Sequence, residues 1–208
     1  MNLTNSERVA KVLVNLASNP GLIPSYLKHN VFRHPLPIDL GLPWWSYKAI
    51  EYVNTIVEGK RIFEYGTGGS TILFSKKAKS IMSVEDDRKW MNVVQSRLSD
   101  LGIKNVEVIY EAFDFEHSQN FEESRYLKTV DKQEFDIIII DGQDWSFEER
   151  VKCFKYVEPR MKPGQYIIVD DFWRYLQLKK NNRAKSVKVF ESVGPGRLGV
   201  TSTAIFSY

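Results

Sequence analysis

The chain has 208 residues with a formal net charge of +3, and 43% of its residues are hydrophobic and 13% aromatic. This composition predicts one sizeable core and excludes an intrinsically disordered chain, while the mild charge gives no argument for nucleic acid or an anionic membrane as a partner. A single cysteine, Cys153, excludes an internal disulfide framework. The polar start of the chain and the shortness of its longest aliphatic run, Ile137 to Ile140, predict a cytoplasmic protein without a membrane span.

Residues 1–58 are expected to form helices and an arm that pack on the core, residues 59–208, within a single domain. Thr4 and Glu7 have the spacing of a capping box, and hydrophobic residues follow them at helical intervals. Five of the eight prolines lie between Pro20 and Pro43, which predicts an extended arm packed on the body of the protein. Ser46 then predicts the cap of another helix.

From residue 59 onward, short apolar runs alternate with helical patterns, and this alternation predicts an α/β core with a parallel sheet. Strands are expected at residues 61–65, 80–85, 105–110, 135–140 and 164–170, and helices near residues 70–78, 87–101, 113–129 and 146–158. Two further strand segments, residues 185–192 and 200–208, are joined by a glycine-rich turn. They predict a hairpin rather than another crossover.

A glycine-rich turn, residues 64–70, follows the first expected strand. Glycines let the backbone turn sharply and approach a ligand closely, and the start of the next helix offers free N–H groups. Glu85 ends the next strand, about 20 residues further on, where a doubly wound sheet presents a carboxylate to a ribose. The two features together predict a site for a cofactor that contains a nucleoside.

The spacing of Glu64, Gly66, Gly68 and Ser70 resembles the first motif of the class I S-adenosylmethionine (SAM)-dependent methyltransferases, and Glu85 matches that family's ribose-binding acid. The resemblance covers about residues 60–206. It implies a Rossmann-like, doubly wound α/β sheet of seven strands in the order 3-2-1-4-5-7-6, with strand 7 antiparallel. It also implies SAM as the cofactor, bound by Glu64, Gly66, Thr67, Gly68, Ser70, Glu85, Asp86, Asp114 and Asp141. For Asp114, a solvated loop carboxylate is an equally good interpretation.

Carboxylates follow the fourth and fifth expected strands: Asp141 the fourth, and Asp170 and Asp171 the fifth. Like charges at one sheet edge need a compensating cation, and oxygen ligands suit Mg²⁺, Mn²⁺ or Ca²⁺. By position, the three residues are similar to the ligands of the metal-dependent O-methyltransferases of the catechol and macrocin types, which implies a metal site. The alternative is that Asp141 is only a strand-end residue and that Asp170 or Asp171 caps the following helix.

Aromatic residues are concentrated at the ends of the elements around the same edge: Trp44, Trp45, Trp145, Phe172, Trp173 and Tyr175. They predict an acceptor pocket, although core packing explains each of them equally well. A basic run begins at Arg174, and it either meets an anionic acceptor or is a solvated surface.

The methyltransferase resemblance implies transfer of the SAM methyl group to a hydroxyl of a small molecule or sugar. Asp141 or Asp144 would serve as the base, and a divalent metal could assist. Nucleic acid is disfavoured as the acceptor because the chain has no Asn-Pro-Pro-Tyr-like motif and Cys153 lacks the preceding proline typical of cytosine C5 enzymes, but RNA stays open as an acceptor.

Two other functions are alternatives to methyl transfer. An NAD-linked oxidoreductase is disfavoured by the terminal hairpin and by Thr71, which occupies the position where a dinucleotide fold has a small residue. A non-catalytic SAM-binding module is the other alternative. The identity of the acceptor and the oligomeric state stay open.

Overall fold

The computed structural model describes residues 4–32 and 36–208. Their α-helices are α1 (Asn5–Ser18), α2 (Ile23–Asn30), α3 (Pro37–Leu40), α4 (Tyr47–Ile56), α5 (Gly69–Ser75), α6 (Arg88–Asp100), α7 (Arg125–Lys128) and α8 (Glu149–Val157). The strands are β1 (Arg61–Tyr65), β2 (Ser80–Glu85), β3 (Val106–Tyr110), β4 (Ile137–Ile140), β5 (Tyr166–Val169), β6 (Ser186–Val193) and β7 (Val200–Ser207). Short 3₁₀ helices cover Pro20–Leu22, Phe115–Glu123, Thr129–Lys132, Glu158–Arg160, Phe172–Arg174 and Leu176–Lys179.

The seven strands form one sheet in the order β3-β2-β1-β4-β5-β7-β6. The neighbours from β3 to β5 pair in parallel, and β7 pairs antiparallel with both β5 and β6. The predicted fold class, strand order and terminal hairpin are therefore confirmed. The order places the ends of β1, β4 and β5 side by side at one edge of the sheet.

Strand β4 lies at the centre of the sheet and consists of four isoleucines. Successive side chains of a strand point to opposite faces, so Ile138 and Ile140 pack in the cluster on one face and Ile137 and Ile139 in the cluster on the other. A strand covered on both faces has a continuous apolar sequence. This is why the run Ile137–Ile140 contains no polar residue.

The N-terminal region packs on the sheet through α1 and α4. Helix α1 contacts β6 and β7, α4 contacts β6, and α3 contacts α5. The capping box of α1 forms as the sequence predicts, because the Thr4 Oγ1 accepts from the Glu7 main-chain N–H and the Glu7 carboxylate accepts from the Thr4 N–H. Among the described residues, no helix is long and apolar enough to cross a membrane.

The expected extended arm between Pro20 and Pro43 is wrong for the part that the structure describes. That part contains a 3₁₀ turn, α2 and α3. Pro20, Pro24 and Pro37 all lie in the first turn of one of these helices. The N–H group that proline lacks would have no intrahelical partner there, so proline favours the start of a helix as well as an extended chain.

The long helix expected near residues 113–129 is also wrong. A 3₁₀ helix, Phe115–Glu123, and the short α7 replace it. Asp114 caps the first and Ser124 caps the second, and such local side-chain bonds compete with a continuous helix. The rings of Phe113, Phe115, Phe121 and Tyr126 pack against one another in between.

Candidate active site

A cleft of about 1930 Å³ opens at the carboxyl ends of the central strands. All the site residues predicted from the sequence line it: Glu64, Gly66, Thr67, Gly68, Ser70, Glu85, Asp86, Asp114, Asp141, Asp144, Asp170 and Asp171. Open α/β sheets bind ligands at this end of their strands. The fold thus brings the cofactor candidates and the candidate acids and bases into one cavity.

Gly66 starts the turn after β1 in a conformation with φ of +85°. A Cβ at this position would lie 2.9 Å from the Gly142 Cα and 3.1 Å from the Asp141 carbonyl oxygen. Both the dihedral angle and the lack of space therefore require glycine here. The turn after β1 lies against the turn after β4, and its open side faces the cleft.

Glu64, the residue before the last of β1, is hydrogen-bonded to the start of α5. It is 1% exposed, and its carboxylate accepts hydrogen bonds from the Ser70 Oγ and, at 2.6 Å, from the Thr71 Oγ1. Burial raises the pKa of Glu64 to about 8. The hydrogen bonds from the two hydroxyl groups lower the pKa, and the nearby Asp141 and Glu85 carboxylates raise it. A buried carboxyl without a charged partner favours its neutral form, whereas a positive charge close to it favours the ionised form.

Glu85 ends β2 on the other side of the turn. One carboxylate oxygen accepts from the Thr67 N–H at 3.1 Å, and the other accepts from the Asp86 and Asp87 N–H groups at 3.1 Å each. Burial raises the pKa of Glu85 to about 7 despite these donors. The Trp90 indole N–H also bonds to the Thr67 carbonyl at 2.7 Å, which fixes the turn against α6.

Asp114 lies at the rim of the cleft rather than in its depth. Its carboxylate accepts from the Glu116 N–H at 3.0 Å and pairs with His117 at 2.8 Å, and its side chain is 67% exposed. The hydrogen bond from His117 lowers the pKa of Asp114. The position agrees with both interpretations of this residue, a contact to a bound nucleoside and a solvated loop carboxylate.

Asp141 follows β4 and is held by two donors. The Trp45 indole N–H donates to its carboxylate at 2.8 Å, and Arg150 forms an ion pair with it at 3.2 Å. Arg150 also donates to the main-chain carbonyls of Gly142 and Asp170, at 2.9 and 3.1 Å. This arginine therefore joins the ends of β4 and β5.

Asp170 and Asp171 follow β5 and meet a second arginine, Arg197, from the turn between β6 and β7. Arg197 lies 3.0 Å from the Asp171 carboxylate and 3.9 Å from that of Asp170. Burial raises the pKa of Asp170 well above its ordinary value, and the Thr203 hydroxyl donates to it at 2.6 Å. For Asp171, Arg197 and its neighbouring arginines outweigh the effect of burial and lower the pKa.

The metal site at Asp141, Asp170 and Asp171 stays a prediction, and the geometry offers another source of positive charge. The three residues do meet at one edge, but arginine side chains supply the compensating charge that the metal was expected to supply. Within residues 4–32 and 36–208, no three His, Cys, Asp or Glu side chains are grouped so that they could hold a metal ion. Asp171 does occupy the N-cap position of the following 3₁₀ helix, but its side chain makes no cap hydrogen bond.

Asp144 lies beyond Asp141 in the segment that leads to α8. The Tyr175 hydroxyl donates to one of its carboxylate oxygens, and the Glu149 N–H donates to the other at 3.3 Å. Burial raises the pKa of Asp144 to about 6. The residue therefore remains mostly ionised near neutral pH, with a pKa close enough to 7 to accept and return a proton.

The structure divides the predicted aromatic cluster into two groups. Trp44, Trp145 and Trp173 are 52%, 59% and 53% exposed and line the cleft. The other three, Trp45, Phe172 and Tyr175, are fully buried in the core. Sequence reasoning overlooked Arg150 and Arg197, because neither lies in a motif and their partners are 9 and 26 or more positions away.

Comparisons with known proteins found no matching family model and no matching curated protein. Solved structures do match. A candidate O-methyltransferase from Klebsiella pneumoniae is 15% identical, with a TM-score of 0.61 over 97% of this chain and 100% of its own. A methylase of rRNA from Streptococcus thermophilus is 12% identical, with a TM-score of 0.57 over 77% of this chain and 95% of its own.

A third similar structure is a candidate methyltransferase from Streptococcus mutans in complex with SAH, the demethylated form of SAM. It is 14% identical, with a TM-score of 0.54 over 84% of this chain and 99% of its own. At these identities the similarity concerns the fold, and the named substrates differ from one protein to the next. This chain therefore has the Rossmann-like fold of the class I SAM-dependent methyltransferases.

Proposed function

We propose that this chain is a SAM-dependent methyltransferase that transfers the methyl group to an oxygen of a small-molecule acceptor. One observation carries the proposal. A single cleft contains the glycine turn and Glu85 on one side and the half-exposed tryptophans and Asp144 on the other. A donor molecule and an acceptor bound in the two parts would have their reacting atoms close together, which is the main requirement of a methyl transfer.

The residues around the glycine turn fit SAM by shape and by charge. Gly66, Thr67, Gly68 and Ser70 line the cleft with main-chain groups that a ligand can approach closely, and a Cβ added at Gly68 would have only the Trp90 ring within 4 Å. The carboxylates on this side are Glu64, Glu85, Asp86 and Asp114. They favour a positively charged ligand, and in this proposal the Glu85 carboxylate accepts hydrogen bonds from the ribose hydroxyls.

SAM, when bound, supplies a methyl group on a sulfonium, so the protein has no leaving group to activate. The task of this chain is to orient the acceptor and to receive its hydroxyl proton. Asp144 is the base in this proposal: its carboxylate takes the proton as the acceptor oxygen forms its bond to carbon, and Tyr175 holds that carboxylate in place. Asp141 is less suited to this role, because the positively charged Arg150 forms an ion pair with it, whereas the Tyr175 hydroxyl and the Glu149 N–H that donate to Asp144 are uncharged.

A calorimetric titration with SAM, SAH and NAD tests the cofactor part of the proposal. We expect SAM and SAH to bind and NAD not to bind. Tight binding of NAD alone would support the oxidoreductase instead.

A turnover assay tests the chemical part. SAH release is measured with hydroxyl-bearing small molecules and, because one similar structure is an rRNA methylase, with RNA as a separate arm. Turnover with a small hydroxyl compound that Asp144→Asn abolishes, while SAM binding persists, supports the proposal. Methyl transfer to RNA alone contradicts the small-molecule acceptor, and SAM binding without turnover on any acceptor favours the binding module.

A further inference from the structure

The part of the cleft lined by Asp144 and the half-exposed tryptophans, called the acceptor side below, exposes several large apolar side chains. Trp44, Trp145 and Trp173 are each more than half exposed, and Leu198 is 73% exposed beside them. Scattered surface apolar residues need no explanation, but several large ones around one cleft mark a binding site. The exposed faces of these three tryptophans are flat surfaces on which a ring can stack.

Arg174 lines the cleft beside Trp173. Its guanidinium is 5.0 Å from the Phe147 ring centre and 4.8 Å from the Trp173 ring centre. The Arg174 Nε is buried without a hydrogen-bond partner in the described part of the chain. The ion pair with Asp171 is long, at 4.0 Å, and Asp171 already has a closer partner in Arg197. The charge of Arg174 is thus positioned at the cleft and only weakly compensated.

The positive charge on this side is not limited to Arg174. Arg8 and Lys11 of α1 line the same cleft, and neither side chain forms a hydrogen bond or ion pair with any residue in 4–32 or 36–208. Arg174 is therefore not the only cationic side chain at the cleft that lacks a close ion-pair partner in the described part of the chain.

We propose that the acceptor is a ring-bearing molecule with an oxyanion, a carboxylate or a phosphate, and that Arg174 binds this oxyanion. The planar guanidinium presents donors in a fork that matches both groups, and the adjacent ring of Trp173 supports the ring of the ligand. The inference rests on the proposed function, because it assigns the acceptor side of the same cleft.

Three probes of similar shape test this assignment: 6-hydroxy-2-naphthoate, 2-naphthyl phosphate and the neutral 6-hydroxy-2-naphthamide. Each is titrated by calorimetry into protein saturated with SAH, which keeps the probes out of the cofactor side, and into free protein. We expect at least one anionic probe to bind about tenfold more tightly than the amide, as a charge-assisted hydrogen bond at a partly exposed site allows. The two anions separate carboxylate from phosphate recognition.

Variants assign the preference to a residue. Arg174→Gln is expected to remove the preference for the anion, and Arg174→Lys to reduce it to a few-fold, because lysine keeps the charge without the fork. Lys180→Gln removes the same charge from an exposed residue of the same segment that does not line the cleft, and it should retain the preference.

Several outcomes would overturn the inference: no probe binds the wild-type protein, the amide binds as well as the anions, or the preference survives in folded Arg174→Gln. SAH titration and circular dichroism establish that each variant is folded, and Arg174→Lys decides the question if Arg174→Gln does not fold. Failure of SAH to bind the wild-type protein would count against the proposed function. The probe preference on free protein would still decide the oxyanion site.

Discussion

Glu85 has hydrogen-bond capacity left for a ligand. Its carboxylate accepts three main-chain N–H groups, whereas an ionised carboxylate has about four acceptor positions. The main-chain donors fix the orientation of the side chain, so a ligand hydroxyl would meet a carboxylate that is already in position. This preorganisation explains why a residue at the end of β2 is suited to ribose recognition.

Glu85→Gln is expected to weaken SAM binding about tenfold, or by about 1.4 kcal/mol, because the amide keeps one acceptor oxygen but loses the charge that strengthens a hydroxyl contact. The measurement is calorimetric titration of SAM into the variant and the wild type. Glu107→Gln on β3, exposed and outside the cleft, is the matched control. Unchanged affinity in folded Glu85→Gln would assign the ribose to another residue.

The carboxylates after β4 and β5 are expected to bind Mg²⁺ or Mn²⁺ only weakly, with a dissociation constant above about 1 mM. Arg150 and Arg197 already neutralise them, and a metal would have to displace these ion pairs. Calorimetric titration of the free protein with each metal measures the affinity. Micromolar binding that Asp170→Asn abolishes would restore the metal site that the sequence suggested.

The turn between β1 and α5 depends on both the dihedral angle and the space at Gly66. Gly59 offers a matched comparison, because its φ of +69° is also positive but no atom lies within 4 Å of an added Cβ. Strain from a positive φ affects both positions, whereas a collision with the turn after β4 affects only Gly66. The two glycines therefore separate the backbone effect from the packing effect.

Gly59→Ala is expected to lower the free energy of unfolding by about 1 kcal/mol, and Gly66→Ala by about 2–4 kcal/mol, because only the second adds a steric collision to the strain. Gly66→Ala should also abolish SAM binding, while Gly59→Ala keeps it. Urea unfolding and calorimetry measure the two effects. Equal stability losses in both variants would mean that the turns after β1 and β4 separate at little cost.

The cleft as a whole concentrates carboxyl groups whose pKa burial raises: Glu64 to about 8, Glu85 to about 7 and Asp144 to about 6. As the pH rises, the unfolded chain releases these protons first, near the ordinary values of 3.8 and 4.5. Between the ordinary and the raised pKa values, the folded chain binds more protons than the unfolded chain, so the free energy of unfolding decreases as the pH rises.

The free energy of unfolding of the ligand-free protein is therefore expected to fall between about pH 5 and pH 8, by up to about 1.4 kcal/mol per pH unit for each such group. Urea unfolding at several pH values measures the slope. Glu64→Gln, which imitates the protonated acid, should flatten it. A stability that rises with pH over this interval would show that the buried carboxyls are ionised in the folded protein.

Local patterns in the chain were sufficient for most of the strands, and the resemblance to the methyltransferases supplied the order of the sheet. The isoleucine run of β4, the glycine turn and the terminal hairpin each depend on residues close together in sequence, where periodicity and turn chemistry act. The candidate site residues that these patterns indicated all line one cleft, and their roles stay predictions. The patterns failed for residues 113–129, because a helical pattern does not reveal that aromatic packing and local caps will interrupt it.

The electrostatics of the strand ends depend on contacts between residues far apart in the chain. Arg197 reaches Asp171 only because the β6–β7 hairpin inserts beside β5, and Trp45 reaches Asp141 across 96 positions. Three acidic residues in sequence imply a charge that must be compensated, but they do not specify whether a metal or a guanidinium compensates it. Long-range packing places arginine side chains there, because it alone determines which side-chain cation lies within a few ångströms of each carboxylate.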